Sequence, residues 1–247
     1  MLIIYDFTPR ITIFTYNITT LESLLIYAMK TITYQSDYLG NGFEFATINQ
    51  PDDYEGKVIA TVIRKQCSMP SNKAVLYVHG FNDYFFQSEM AQKFNEKGFH
   101  FYAVDLRKYG RSTLPHQKSN NMRSLTEYFA DLDEALDIVR QEGNEQVLLS
   151  GHSTGGLLVT LYASERVGNE KFDTIFCNSP FYDMNMPGYQ KRLLVPLVAL
   201  FGKYFPDVLL PGKISEWYGH SLHGEKKGEW DYNLVWKPHL VPALNAG

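Results

Sequence analysis

The pentapeptide 151–155, Gly-His-Ser-Thr-Gly, directly follows the apolar run 146–150. The pattern predicts a sharp turn between a short buried strand and a helix, with Ser153 at its apex. Gly151 and Gly155 flank the serine because a Cβ at either position would collide with neighbouring backbone. Residues 156–163 are compatible with the helix. We therefore expect a parallel α/β sheet that presents Ser153 as a catalytic nucleophile.

Size and composition fit one large folded domain and exclude several classes of protein. The chain has 247 residues, of which 45% are hydrophobic and 15% aromatic. A net charge of -4 without long runs of like charge argues against a nucleic-acid partner. Cys67 and Cys177 have no C-x-x-C spacing, so we expect reduced thiols and neither a disulfide framework nor a metal site. The sequence thus favours a reducing, cytoplasmic location.

The first 28 residues are unusual. Their apolar stretches are interrupted by Asp6, Arg10 and Asn17, so they form neither the apolar core of a signal peptide nor a transmembrane span. Met29 opens a more polar, strand-like stretch. We hypothesise that translation begins at Met29 and that 1–28 is a doubtful extension; the alternative is an extra strand or helix packed on the sheet.

From Lys57 onward the chain alternates strand and helix, which predicts parallel βαβ units. Strands are expected at 58–63, 74–78, 99–104, 146–150 and 172–177, and helices at 88–97 and from a capping box at 124–127 to Gly143. After Pro180 the alternation stops. We therefore divide the chain into a core, 29–180, and a cap-like segment, 181–247. The apolar clusters of 193–210 are either cap helices that bind an acyl chain or a cover for the core.

A serine nucleophile needs donors for the developing oxyanion and a base to take its proton. The loop that follows the predicted strand 74–78 offers the Phe81 N–H, and the turn itself offers the Thr154 N–H. His79 is a possible base, but its position before Gly80 favours a structural role in fixing that loop. His152 is expected to pack or to hydrogen-bond beside the serine and to point away from its hydroxyl.

These motifs, together with Asp-Leu-Arg-Lys-Tyr-Gly-Arg-Ser at 105–112, resemble the α/β-hydrolase superfamily. The similarity is to its monoacylglycerol lipase, lysophospholipase and serine aminopeptidase-like branch, and it runs from about residue 38 to 190. The resemblance implies a mostly parallel sheet with helices on both faces and a helical cap after the sixth strand. It also implies metal-independent hydrolysis of small esters, monoacylglycerols or lysolipids through an acyl-enzyme, without a cofactor.

In this branch the segment that begins at Asp105 supports the turn beneath the active site, and the triad acid and histidine follow strands beyond the cap. The chain reaches Gly247 in cap-like sequence, which predicts a core that is incomplete after the sixth strand and doubtful activity. Asp183 is a weak candidate for the acid. Histidines 220, 223 and 239 follow no recognisable strand, and the first two lack a third clustered metal ligand.

Three functional classes stay open. The leading one is a serine hydrolase of the carboxylesterase or lipase type with a small ester or lipid as substrate. A peptidase or an acyltransferase would use the same turn. A catalytically inactive fragment or a binding module would keep the fold without the triad. The oligomeric state is not predicted.

Overall fold

The computed structural model describes residues 32–168, 171–183, 187–205 and 208. They fall into two compact units, the first of which ends at Asp183. The first unit contains a seven-stranded sheet. Its strands are β1 Gln35–Ser36, β2 Glu44–Asp53, β3 Gly56–Lys65, β4 Lys73–Val78, β5 His100–Asp105, β6 Gln146–His152 and β7 Thr174–Asn178.

Three α-helices accompany the sheet: α1 Ser88–Glu96, α2 Phe129–Gln141 and α3 Thr154–Glu165. Short 3-10 helices span Gly110–Ser112 and Leu125–Tyr128. The second unit contains α4, Gly188–Tyr204, with Pro196 inside it. In the described part of the chain, no helix is long and apolar enough to cross a membrane.

The strand order is β1-β2-β3-β5-β4-β6-β7. Strands β5, β4, β6 and β7 pair in parallel, whereas β3 pairs antiparallel with both β2 and β5. Five of the seven strands therefore run in one direction, and the predicted α/β class with a mostly parallel sheet is confirmed. The prediction that parallel βαβ units begin at Lys57 is wrong for β3. Residues 66–72, which join β3 to β4, are too few for a crossover helix.

The core lies on both faces of the sheet, because successive side chains of a buried strand point to opposite sides. On one face, Leu76 and Val104 pack with Leu132 of α2 and Leu158 of α3. On the other face, Val75, Phe101 and Ala103 pack with Ala91 of α1. The expectation of helices on both faces is therefore confirmed.

The local signals that delimit α2 largely match the structure. Ser124 and Glu127 form the capping box, in which the Ser124 side chain accepts from the Thr126 N–H and Glu127 accepts from the Ser124 N–H. The box opens a 3-10 turn, and the α-helix begins one turn later, at Phe129.

Strand β5 ends at Asp105, one residue later than the predicted strand 99–104. Asp105 therefore lies at the end of the strand and not just past it.

Several predictions fall outside the described residues. These are the extension 1–28 and histidines 220, 223 and 239. The division at residue 180 and the role of 181–247 as a cap stay predictions. The apolar clusters around Leu194 and Leu197 are part of helix α4.

Candidate active site

Ser153 stands between the last residue of β6 and the first residue of α3. Its backbone has φ +52° and ψ -119°, a conformation that residues with a side chain adopt only under strain. The surrounding backbone holds it there. The Ser153 N–H donates to the Asn178 carbonyl at 3.1 Å, and the Ser153 carbonyl accepts from the Phe181 N–H at 2.9 Å. The end of β7 thus fixes the turn from which the serine projects.

The two glycines of the motif are required by close backbone contacts. A Cβ at Gly151 would collide with the backbone of Gly155, and a Cβ at Gly155 would collide with the carbonyl oxygens of Val78 and His79. These contacts bring the start of α3 directly against the end of β4. The flanking glycines therefore allow the turn and the loop after β4 to approach each other.

The loop after β4 lies beside the serine. A Cβ at Gly80 would be 3.2 Å from Ser153 Cβ, so the next residue, Phe81, is also adjacent to the turn. Phe81 and Thr154 both line one narrow recess with room for about one water molecule. Among the residues that the structure describes, no protein acceptor takes a hydrogen bond from the N–H of either residue. The arrangement is compatible with a pair of free donors for an anion.

His79 is buried, and both of its ring nitrogens have partners. The Leu106 N–H donates to Nε2 at 3.1 Å, so Nδ1 carries the proton and donates to the Gly80 carbonyl at 2.8 Å. The ring also packs on Tyr109 with centroids 4.8 Å apart. These contacts tie the loop after β4 to the end of β5. They fit the predicted structural role of His79 and leave no ring nitrogen for proton transfer.

Asp83 is a residue of this site that the sequence interpretation missed. Its carboxylate accepts the Tyr84 N–H at 2.8 Å. Burial raises the pKa of Asp83, and the nearby His79 and His152 only partly oppose that rise. In the sequence, only the position of Asp83 four residues after His79 indicates that it belongs to the site. Burial thus favours the neutral form of this carboxyl group more than in an exposed aspartate.

Asp105 supports the loop after β5. Its carboxylate accepts the Phe85 N–H at 2.8 Å, the Arg111 N–H at 3.0 Å and the Arg111 guanidinium at 2.8 Å. Arg111 also forms a bidentate pair with Asp37, at 2.7 and 2.9 Å. Burial alone would lower the pKa of Arg111, but Asp37 and Asp105 raise it overall. Because its lone pairs are occupied in this way, Asp105 fits a supporting role and not that of the triad acid.

The acid and the base are not brought together in the described residues. Asp183 lies two residues after Phe181, whose N–H donates to Ser153. His100 contacts the Ser71 carbonyl and His116 the Lys57 carbonyl, both away from the serine. Within the described ranges no histidine forms a hydrogen bond with Ser153. The assignment of Asp183 therefore stays a prediction.

Comparisons with known proteins agree with this geometry. The family model described as "Serine aminopeptidase, S33" matches residues 69–229. No curated protein sequence matches the chain. Among solved structures, a monoglyceride lipase from Saccharomyces cerevisiae is 18% identical with a TM-score of 0.50, and the alignment covers 76% of this chain and 58% of the lipase. A carboxyl esterase from Bacillus coagulans is 18% identical with a TM-score of 0.54, over 81% of this chain and 65% of the esterase.

The chain thus spans less than two thirds of the length of either solved structure. At these identities the two structures show a shared fold. The family model covers well over half of the chain, including the loop after β4, the segment that begins at Asp105 and the serine turn. This protein belongs to the serine aminopeptidase S33 family and has the α/β-hydrolase fold.

Proposed function

We propose that this protein is a serine hydrolase that cleaves carboxylic esters through an acyl-enzyme on Ser153. The observation that carries the proposal is the strained Ser153 backbone next to the free N–H groups of Phe81 and Thr154. A serine alkoxide attacking an ester carbonyl places negative charge on the carbonyl oxygen, which two such donors stabilise. The substrates proposed are small esters, monoacylglycerols or lysolipids.

Each group then has a defined role. The Ser153 oxygen forms a bond to the acyl carbon and the alcohol departs with a proton; water afterwards releases the acid and restores the hydroxyl. Phe81 and Thr154 bind the oxyanion in both steps.

The other residues of the site have supporting roles. His79, Gly80 and His152 support the loop after β4, and Gly151 and Gly155 allow the turn. Asp183 is the proposed acid of the triad.

The rate is expected to depend on a base, and among the described residues no histidine is hydrogen-bonded to Ser153. Loss of the triad histidine lowers turnover by about a million-fold, leaving roughly 10³ to 10⁴ over water from the oxyanion hole and binding. A second candidate function is therefore a catalytically inactive or binding module of the same fold. The observation in its favour is that Ser153 has no hydrogen-bonded histidine among the described residues.

The proposal is tested by hydrolysis of p-nitrophenyl acetate and butyrate, of a monoacylglycerol and of an aminoacyl arylamide. Ser164 provides a matched control, since its exposed hydroxyl only donates to the Leu161 carbonyl one turn earlier. We expect ester cleavage that Ser153→Ala abolishes and Ser164→Ala leaves unchanged. Equal rates in the wild type and Ser153→Ala would refute the ester-hydrolase proposal. Cleavage of the arylamide alone would indicate a peptidase.

We also propose that the protein works in the cytoplasm. Cys67 and Cys177 are both free thiols. Cys67 is buried and its thiol donates to the Met69 carbonyl at 3.1 Å. Free thiols are typical of a reducing compartment. Fractionation of cells that produce the protein is the test, and recovery from the culture medium with both cysteines oxidised would contradict it.

A further inference from the structure

Left-handed backbone conformations occur at the serine turn and in the loop after β4. Six described residues other than glycine have positive φ: Asn41, Asn82, Lys108, Asn120, Ser153 and Ser179. Ser153 is the proposed nucleophile, and Asn82 directly follows Phe81, the proposed oxyanion donor. Such strained residues persist only where the surrounding structure holds them, and they are frequent at functional sites. Asn82 is held by a contact with another loop.

Asn120 holds it. The Asn120 side-chain amide donates to Asn82 Oδ1 at 3.1 Å, across 38 positions of sequence. The Asn120 N–H donates to the Lys108 carbonyl at 3.0 Å. One residue thus connects the loop after β4 to the loop after β5. Its own φ is +59°, so its conformation is also held by these contacts.

Lys108 gives this connection a rigid support. Its side chain is fully buried, with Nζ 2.7 Å from Asp53 Oδ2 and 2.6 Å from Glu55 Oε2, at the turn between β2 and β3. The ammonium also lies 4.2 Å from the centre of the Tyr54 ring, and the Tyr54 hydroxyl donates to the carbonyl of the residue after Asn120 at 3.1 Å.

We propose that Asn120 is a positioning residue for the oxyanion hole: through Asn82 it fixes the loop that carries the Phe81 N–H. The proposal rests on the function proposed for Ser153. Neither asparagine side chain is required to touch the substrate. A displacement of about 1 Å at a reacting centre can lower the rate about 100-fold. Release of Asn82 is expected to affect the rate of the chemical step, not the affinity for the ester.

The test compares Asn120→Gly with Asn41→Gly. Asn41 is a matched control because it is an exposed asparagine with φ +49°, and glycine accepts a left-handed backbone at both positions. The variants therefore differ in which amide side chain is lost. Amide hydrogen exchange is measured at two residues of the loop after β4: Tyr84, whose N–H donates to Asp83 in the same loop, and Phe85, whose N–H donates to Asp105 at the end of β5. The rate of Ser153 phosphonylation and the kcat and KM for p-nitrophenyl acetate are measured in parallel.

We expect loop exchange about 10-fold faster in Asn120→Gly, with kcat and the rate of phosphonylation lowered about 10-fold or more at unchanged KM. Asn41→Gly should match the wild type in every readout. Unchanged exchange in Asn120→Gly, or faster exchange with unchanged reactivity of Ser153, would overturn the proposal. If the wild type is inert, the function proposed for Ser153 fails, while loop exchange still decides whether Asn120 holds the loop.

Discussion

Replacement of Lys108 by methionine tests the support beneath the proposed oxyanion loop. Methionine keeps most of the aliphatic stem and is no more β-branched than lysine, so the left-handed backbone at this position costs about the same in both proteins. What changes is the charge. Asp53 and Glu55, whose side chains are 11% and 14% exposed, lose the ammonium that faces them.

Removal of one partner from a buried ion pair costs about 3–5 kcal/mol, because an uncompensated charge stays in a poorly solvated place. For a unit of this size that corresponds to a fall in Tm of about 6–20 °C. The assay is thermal and urea unfolding followed by near-ultraviolet circular dichroism. Lys93→Met is the control, since Lys93 pairs with Glu96 at 2.8 Å on the surface, where its side chain is 77% exposed. Its expected cost is at most about 1 kcal/mol.

The effect should depend on pH with a defined sign. Burial raises the pKa of Asp53 and Glu55, but Lys108 lowers both overall. A carboxylate with a lowered pKa stabilises the fold above its unfolded pKa and loses this contribution as the pH falls through the folded pKa. The wild type therefore keeps the contribution from about pH 7 to pH 5. In Lys108→Met the ammonium is gone, so burial raises the pKa values of Asp53 and Glu55. Both carboxylates then take up a proton more readily as the pH falls, which removes their uncompensated charge. The difference in stability between the wild type and the variant should therefore narrow in acid.

If Lys108→Met is as stable as the wild type at neutral pH, or if the stability difference widens in acid, the Lys108 ammonium does not stabilise the fold as proposed. The triple variant with Asp53→Asn and Glu55→Gln provides a further check. It should recover much of the lost stability, because neutral amides carry no charge that needs a partner.

Two other substitutions probe the turn and its support. Gly155→Ala places a Cβ against the carbonyl oxygens at the end of β4, so we expect loss of folded protein in expression and melting assays. Gly202 lies in α4 with open space around it, so Gly202→Ala should instead stabilise this helix by up to about 1 kcal/mol. If the two substitutions change stability equally, the steric argument for Gly155 is wrong. Arg111→Lys loses the bidentate pair with Asp37 while keeping the charge, and we expect a cost of about 2 kcal/mol in urea unfolding. A change below about 0.5 kcal/mol would show that the fork geometry is unimportant.

The serine turn could be predicted from the sequence because its causes are local. Gly151 is needed by contacts within the turn, and the apolar run 146–150 is the strand that precedes it. The capping box at Ser124 was readable for the same reason. Buried strands β4 and β6 also match their predicted ranges closely, since both of their faces are covered by apolar packing. The contact that requires Gly155 is made with the end of β4 and is not local.

Features that depend on contacts between distant segments could not be predicted. Strand β2 was missed because it is covered on one face and carries polar residues and Pro51 along the other. The direction of β3 depends on its pairing with β5, which is about forty residues away in sequence. Asn82 and Asn120 stand in unremarkable polar stretches, and only the folded loops bring their side chains together.

Reaction with a fluorophosphonate tests whether Ser153 is an activated nucleophile beside an assembled oxyanion hole. Intact mass and peptide mapping are measured for the folded protein, the heat-unfolded protein and Ser153→Ala. We expect a single adduct on Ser153 that both unfolding and the substitution abolish, because reactivity requires the folded turn. Absence of an adduct from the folded protein, or an adduct that persists in Ser153→Ala, would contradict this prediction.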